Sequence, residues 1–94
     1  MNLTKEQLER VKDLAYRTMT SRVIASALEV DEVDFVDEVC TPGTPARQAY
    51  LSGMMQQMLE TRESIIKAAR NGSNPAQAEL LRFLERQLYS MDKF

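Results

Sequence analysis

Few residues in this 94-residue chain could do chemistry, and the absences narrow the field first. It has no His and a single Cys, Cys40. Without an imidazole there is no His general base, no Cys/His zinc site and no Ser-His relay within one chain. Nothing stands beside Cys40 to activate its thiol, so the residue is expected to serve as a small buried hydrophobe. Gly-rich phosphate loops and nucleophile elbows are also missing. The chain is therefore expected to be a non-enzyme that takes no cofactor and no metal. The densest polar cluster is Asp31, Glu32, Asp34, Asp37 and Glu38. A calcium loop would need a Gly at its sixth position and a Glu at its twelfth, and this segment lacks that pattern. On a helix, Asp31, Asp34, Asp37 and Glu38 fall within an arc of about 120°. They form a solvated acidic face, a candidate surface for a basic partner.

Charge is distributed unevenly along the chain. Residues 1–30 carry five cations and four anions, residues 31–40 five anions and no cation, and residues 41–94 seven cations and five anions, for a formal charge of −2. No Lys or Arg occurs from 31 to 46. Phosphate contact depends on Lys and Arg. Double-stranded DNA, if it is a partner, must then meet Lys5, Arg10, Arg17 and Arg22, or the later Arg62, Lys67, Arg70, Arg82 and Arg86. The simpler role for all of these cations is solubility.

The elements that position these residues are helical. Thr4 with Gln7 makes a capping box, and Leu8, Val11, Leu14 and Ala15 follow at helical steps. Thr20 or Ser21 caps a second helix carrying Val23, Ile24, Ala27 and Leu28. Asp31 caps a third, running to about Val39. Cys40-Thr41-Pro42-Gly43-Thr44-Pro45 is the clearest breaker cluster. After it, Thr44 and Pro45 read as cap and first residue of a helix of roughly 25 residues. Gly72 reads as its C-terminal cap, and Asn74-Pro75-Ala76-Gln77 as the start of a last helix, with Asn74 as its cap, Pro75 at the first position and Gln77 at the third to complete the capping. That helix carries Leu80, Phe83, Leu84, Leu88 and Met91 on one stripe. The expected fold is all-α: a trihelical helix-turn-helix-like unit (1–40), a Pro/Gly hinge (41–45) and a C-terminal helical hairpin (46–94).

The long helix carries two apolar stripes about 100° apart. Tyr50, Met54, Met58 and Ile65 are expected to pack on the last helix. Leu51, Met55, Leu59 and Ile66 are left for the first half or for another subunit, which makes the chain an expected homo-oligomer. The six Met are expected to fill core gaps. No stretch approaches the ~20 apolar residues that span a bilayer. The opening Met-Asn-Leu-Thr-Lys-Glu is helix-forming and unlike a signal peptide, and a lone thiol suits a reducing interior. No membrane contact is expected, and the expected location is cytoplasmic, in the cell of origin or a host cell.

Ile24, Ala25, Leu28, Val30, Phe35 and Val39 fall where a helix-turn-helix buries residues, with Ala25 small enough for a close crossing. Glu29 occupies the turn position that Gly usually holds. The helix that would enter the major groove is the acidic one, so the helix-turn-helix is expected as a shape and not as a groove reader. "LTKEQLERVKDLA", "VIASALEVDEVDFVDEV" and "TPGTPARQAYLSGMMQQMLETRESIIKAARNGSNPAQAELLRFLE", with landmarks Ala49-Tyr50, Gly53 and Gly72-Ser73-Asn74-Pro75-Ala76, resemble the small terminase subunits of phages and prophages. The resemblance implies a ring-forming, non-enzymatic DNA-packaging subunit whose partner is the ATP-driven large terminase subunit. The alternative is a protein–protein adaptor, or a DNA-mimicking regulator, that uses the acidic helix 31–39.

Overall fold

In a computed structural model that describes residues 1–91, the chain forms five α-helices: α1 (Lys5–Tyr16), α2 (Ser21–Leu28), α3 (Glu32–Cys40), α4 (Pro45–Arg70) and α5 (Asn74–Met91). No strand occurs among the described residues. The all-α expectation holds.

The first three helices start with the same arrangement, a capping side chain preceded by an apolar residue and followed by another four positions on. Thr4, Thr20 and Asp31 accept from the amides of Gln7, Val23 and Asp34 at 3.1, 3.4 and 3.0 Å. The Gln7 side chain accepts in turn from the Thr4 amide at 2.8 Å, completing the capping box. Leu3 and Leu8, Met19 and Ile24, and Val30 and Phe35 bracket these caps at the positions of a hydrophobic staple.

The ends of α1 and α2 also share one design. The amides of Met19 and Val30 reach back to the carbonyls of Leu14 and Ala25 at 3.0 and 3.1 Å. Those of Thr18 and Glu29 reach Ala15 and Ser26 at 3.0 and 3.1 Å. Both pairs are Schellman closures, which need a left-handed residue, and that residue is Thr18 (φ 70°) in one and Glu29 (φ 58°) in the other. Glu29 thus adopts the conformation usually given to Gly at this turn. In each turn one apolar residue, Met19 or Val30, closes one helix and opens the next.

The core of this region is Val11, Ala15, Ile24, Ala25, Phe35, Val39 and Ala46, with Phe35, Ile24 and Val11 fully buried. Ala46 belongs to α4, and Ala49 and Tyr50 pack beside it. The expected hinge is bonded on both sides. Thr41 Oγ1 donates to the Asp37 carbonyl at 2.6 Å, Thr44 Oγ1 to Glu38 at 2.6 Å, and the Arg47 guanidinium to Val39 at 2.9 Å. Three of the last four carbonyls of α3 are satisfied by these side chains, one of them cationic at the negative end of the helix.

Gly53 sets how α4 meets α1. A methyl group there would overlap the Lys12 carbonyl oxygen and lie 2.9 Å from that carbonyl carbon and 3.0 Å from the Tyr16 amide nitrogen. One turn on, the Gln57 side-chain amide donates to the Tyr16 carbonyl at 2.9 Å. One turn back, the Tyr50 hydroxyl faces the Met19 carbonyl at 3.5 Å. The chain consequently divides into compact units Met1–Met58 and Leu59–Phe94, with the division inside α4 and not at the 41–45 turn.

The stripe expected to pack wholly on the last helix is divided too. Tyr50 packs against the core of the first unit, and Met54 and Met58 share a shallow apolar cavity with Ala15, Thr18 and Met19. The reason is that this face of α4 is set by Gly53, which reads in the sequence only as a weak helix residue. In the second unit Gly72 (φ 93°) closes α4 as expected. The cap of α5 is Ser73, one residue before the expected Asn74: its Oγ accepts from the Ala76 amide at 3.3 Å. The Gln77 side-chain amide, which the sequence pattern assigned to capping, instead donates to the Ala69 carbonyl at 3.1 Å.

Ala favours an open helix over Gly by about 1 kcal/mol, but at residue 53 the extra methyl meets backbone. Gly53→Ala is expected to lower stability in urea unfolding by at least about 2 kcal/mol, and a gain would refute the close crossing. Thr18→Gly relieves a β-branched residue in left-handed backbone and is expected to raise stability by roughly 0.5–1 kcal/mol.

Candidate functional site

The four cations assigned to nucleic acid do not form one patch. Lys5 and Arg10 are exposed on α1, but helical geometry sets them about 140° apart, with Glu6, Glu9 and Asp13 in the arc between. Arg17 pairs with Asp13, one turn back, at 3.4 Å. Arg22, at the start of α2, holds Glu32 in the first turn of α3 at 2.6 Å. Both pairs are well exposed and so worth little to stability. They still place a carboxylate against each of two guanidinium groups that would have to meet phosphate.

Three of the five later cations also have a partner. Arg62 lies 4.5 Å from the centre of the Phe83 ring, an arrangement in which the ring face attracts the cation. Lys67 and Arg82 pair with Glu63 at 3.5 Å and Glu79 at 2.7 Å. The hairpin has a groove lined by Ile66, Leu80, Phe83 and Leu84, with Arg62 and Arg86 at its margins.

The acidic residues separate into two kinds. Asp31 is the cap of α3, and Glu38 is half-buried with its carboxylate 3.3 Å from the Met1 ammonium group. Asp34 and Asp37 are exposed. Val33, 67% exposed, lies on the same outward side of α3. Cys40 lies there as well and is exposed, contrary to the buried role expected of it. The cause is one step of helical rotation: Val39 closes the core face, and the next residue turns about 100° toward Val33 and Asp37.

Of the residues assigned to a subunit contact, Leu51 and Ile66 are half-buried, while Met55 and Leu59 are 55% and 63% exposed. Ile66 faces the groove beside Phe83. Sequence reasoning missed the working roles of Gly53, Gln57 and Thr18, since a breaker, an amide and a hydroxyl carry no apolar signal. Among the described residues no three His, Cys, Asp or Glu side chains converge as a metal site, and no helix is long and apolar enough to cross a membrane.

Asp31→Ala is expected to cost about 1 kcal/mol as a lost cap, whereas Asp37→Asn should change stability by less than about 0.5 kcal/mol. Equal losses in thermal unfolding would contradict this division of the acidic face. Cys40 is expected to react with a maleimide in native protein as fast as in urea, and protection would return it to the core. No known protein family, curated protein or solved structure matches the chain.

Proposed function

We propose that this chain is a non-enzymatic, self-assembling subunit of the small-terminase kind, which helps present DNA for packaging in the cytoplasm of a bacterial or phage-infected cell, with the large terminase subunit as its partner. The observation that supports assembly is apolar surface left in water. Among the described residues α5 has no buried side chain, and Leu81, Leu84, Leu88 and Met91 are 51–69% exposed. The DNA half of the reading draws on the sequence resemblance, on an α2–turn–α3 segment closed by a left-handed residue as in helix-turn-helix turns, and on the exposed Lys5 and Arg10 of α1. In this reading the duplex lies against α1 and away from α3, because Asp34 and Asp37 would repel phosphate.

A second reading is favoured by a specific observation. The outward side of α3 combines Val33 with Asp34 and Asp37, while Arg22 is held to Glu32. An acidic rim around an apolar residue suits a basic protein segment, and the chain would then be an adaptor or a regulator that mimics nucleic-acid charge.

Salt-dependent DNA binding separates the two. If DNA is bound, Lys5→Ala with Arg10→Ala is expected to weaken binding and reduce the salt slope by about 2, one for each phosphate no longer neutralised. Asp34→Asn with Asp37→Asn should then strengthen it slightly. If the adaptor reading holds, the Asn pair abolishes capture of a cationic peptide and the Ala pair has no effect. Absence of duplex binding at low salt would refute the packaging role.

A further inference from the structure

The groove between α4 and α5 is apolar inside and cationic at its edges. Ile66, Leu80, Phe83 and Leu84 line it, and the charged side chains along it, among the described residues, are Arg62 and Arg86. Arg62 lies over the Phe83 ring. Neither guanidinium meets a carboxylate among the described residues. The groove holds about 450 Å³ and runs from Leu80 to Ser90 on α5, about 15 Å of helix.

The outward side of α3 is its counterpart in shape and in charge. Val33, Val36 and Cys40 recur there at steps of three and four residues, Val33 and Cys40 exposed and Val36 half-buried. Helices that dock in apolar grooves anchor themselves at this spacing. Asp34 and Asp37 run along one edge of the stripe, and no cation pairs with either among the described residues. At nine residues α3 is about 13 Å long, so it matches the groove end to end. The compact units divide in the same sense. Residues 1–58 carry six cations and nine anions, a net −3, and residues 59–94 six cations and five anions, a net +1. Either face set against its own copy would bring like charges together, whereas α3 on the groove brings two carboxylates to two guanidinium groups.

We infer that the Val33–Val36–Cys40 stripe of α3 in one copy of this chain seats in the α4–α5 groove of the next copy, with Asp34 and Asp37 toward Arg62 and Arg86. This rests on the self-assembly reading above and gives it two unlike surfaces and a direction. A contact between unlike faces leaves a free α3 at one end and a free groove at the other. Copies therefore add head to tail, to a ring where the rotation closes and to an open filament where it does not. One nine-residue helix covers less than the about 800 Å² that each partner gives to a standard interface, which makes this a weak, concentration-dependent contact. Its charges are exposed, so salt loosens it.

The test is the mass of the full chain by sedimentation equilibrium at high micromolar concentration, with helicity read by circular dichroism. The wild type is expected above twice 10.7 kDa at low salt, falling toward one copy in about 1 M salt, where charges are screened beyond about 3 Å. Asp34→Lys with Asp37→Lys, and Arg62→Ala with Arg86→Ala, are each expected to be monomeric with unchanged helicity, the dissociation constant rising at least about tenfold. Mixed, the intact groove of the first variant meets the intact α3 of the second. The mass is then expected to stop at two copies, because both remaining faces are altered, and a fault in folding would not produce that. If Arg62→Ala lowers helicity by losing the Phe83 ring, Arg62→Gln takes its place with the same expected direction. Assembly that survives in both variants and in high salt overturns this contact and leaves self-assembly standing. A wild type that stops at two copies overturns the head-to-tail order, and a mixture that stays monomeric overturns the pairing of these two faces. A wild type of one copy even at low salt overturns both this inference and the assembly reading, and leaves the groove to an acidic segment of another protein.

Discussion

The architecture depends on one close approach, that of Gly53 in α4 to the backbone of α1 between Lys12 and Tyr16. A side chain at residue 53 would occupy the space of a carbonyl oxygen, so the two helices can meet here only because a hydrogen stands in place of a methyl group. The contact fixes which face of α4 looks inward. Ala46, Tyr50 and Gln57 fall on that face at helical steps, and each does a different job there: filling the core, facing the Met19 carbonyl, and holding the Tyr16 carbonyl. Everything else about α4 follows by rotation. Met55 and Leu59 are turned outward, and the helix continues until Gly72 closes it.

Backbone economy explains the first three helices in a similar way. Two short turns, Thr18 to Thr20 and Glu29 to Asp31, use the same sequence of a left-handed residue, an apolar residue and a cap. The middle residue completes the closure of one helix and the staple of the next. Such turns leave few backbone groups unsatisfied and hold α2 and α3 at a fixed separation around Ala25 and Phe35. The strain of a left-handed Thr and Glu is the cost of making both without glycine.

The caps were legible because they depend on residue types at fixed offsets: Thr4 with Gln7, Thr20, Asp31 and Gly72 all work as their spacing implies. So was the core of the first unit, since Ile24, Ala25, Phe35 and Val39 follow helical periodicity. What could not be read was which face of a long helix meets which neighbour. Tyr50, Met54, Leu51 and Met55 are all candidates for burial by residue type, and the choice between them is made by Gly53, whose contribution is the absence of a side chain. Gln57 was hidden for the opposite reason, a polar residue used inside a contact. In the candidate site, the types of Arg17, Arg22 and Glu38 were visible, but the charges they meet were not. Pairing with Asp13, Glu32 and the Met1 ammonium group depends on which helix ends come together.

α4 crosses from the first compact unit into the second without a break, and this has a bearing on how the chain folds as it is made. Starting a helix is the costly step, because several residues must be fixed before the first bond forms, while each later residue adds one bond for itself. Residues 45–58 are ordered by the first unit, which holds them through Ala46, Tyr50, Gly53 and Gln57. That ordered segment is a ready nucleus for residues 59–70, which need only propagate. Synthesis runs in the same direction, so the residues of the nucleus are made before those of the segment it seeds. A loop at residue 58 would have required the second unit to begin its own helix with the small core it has; the unbroken backbone lets it inherit one.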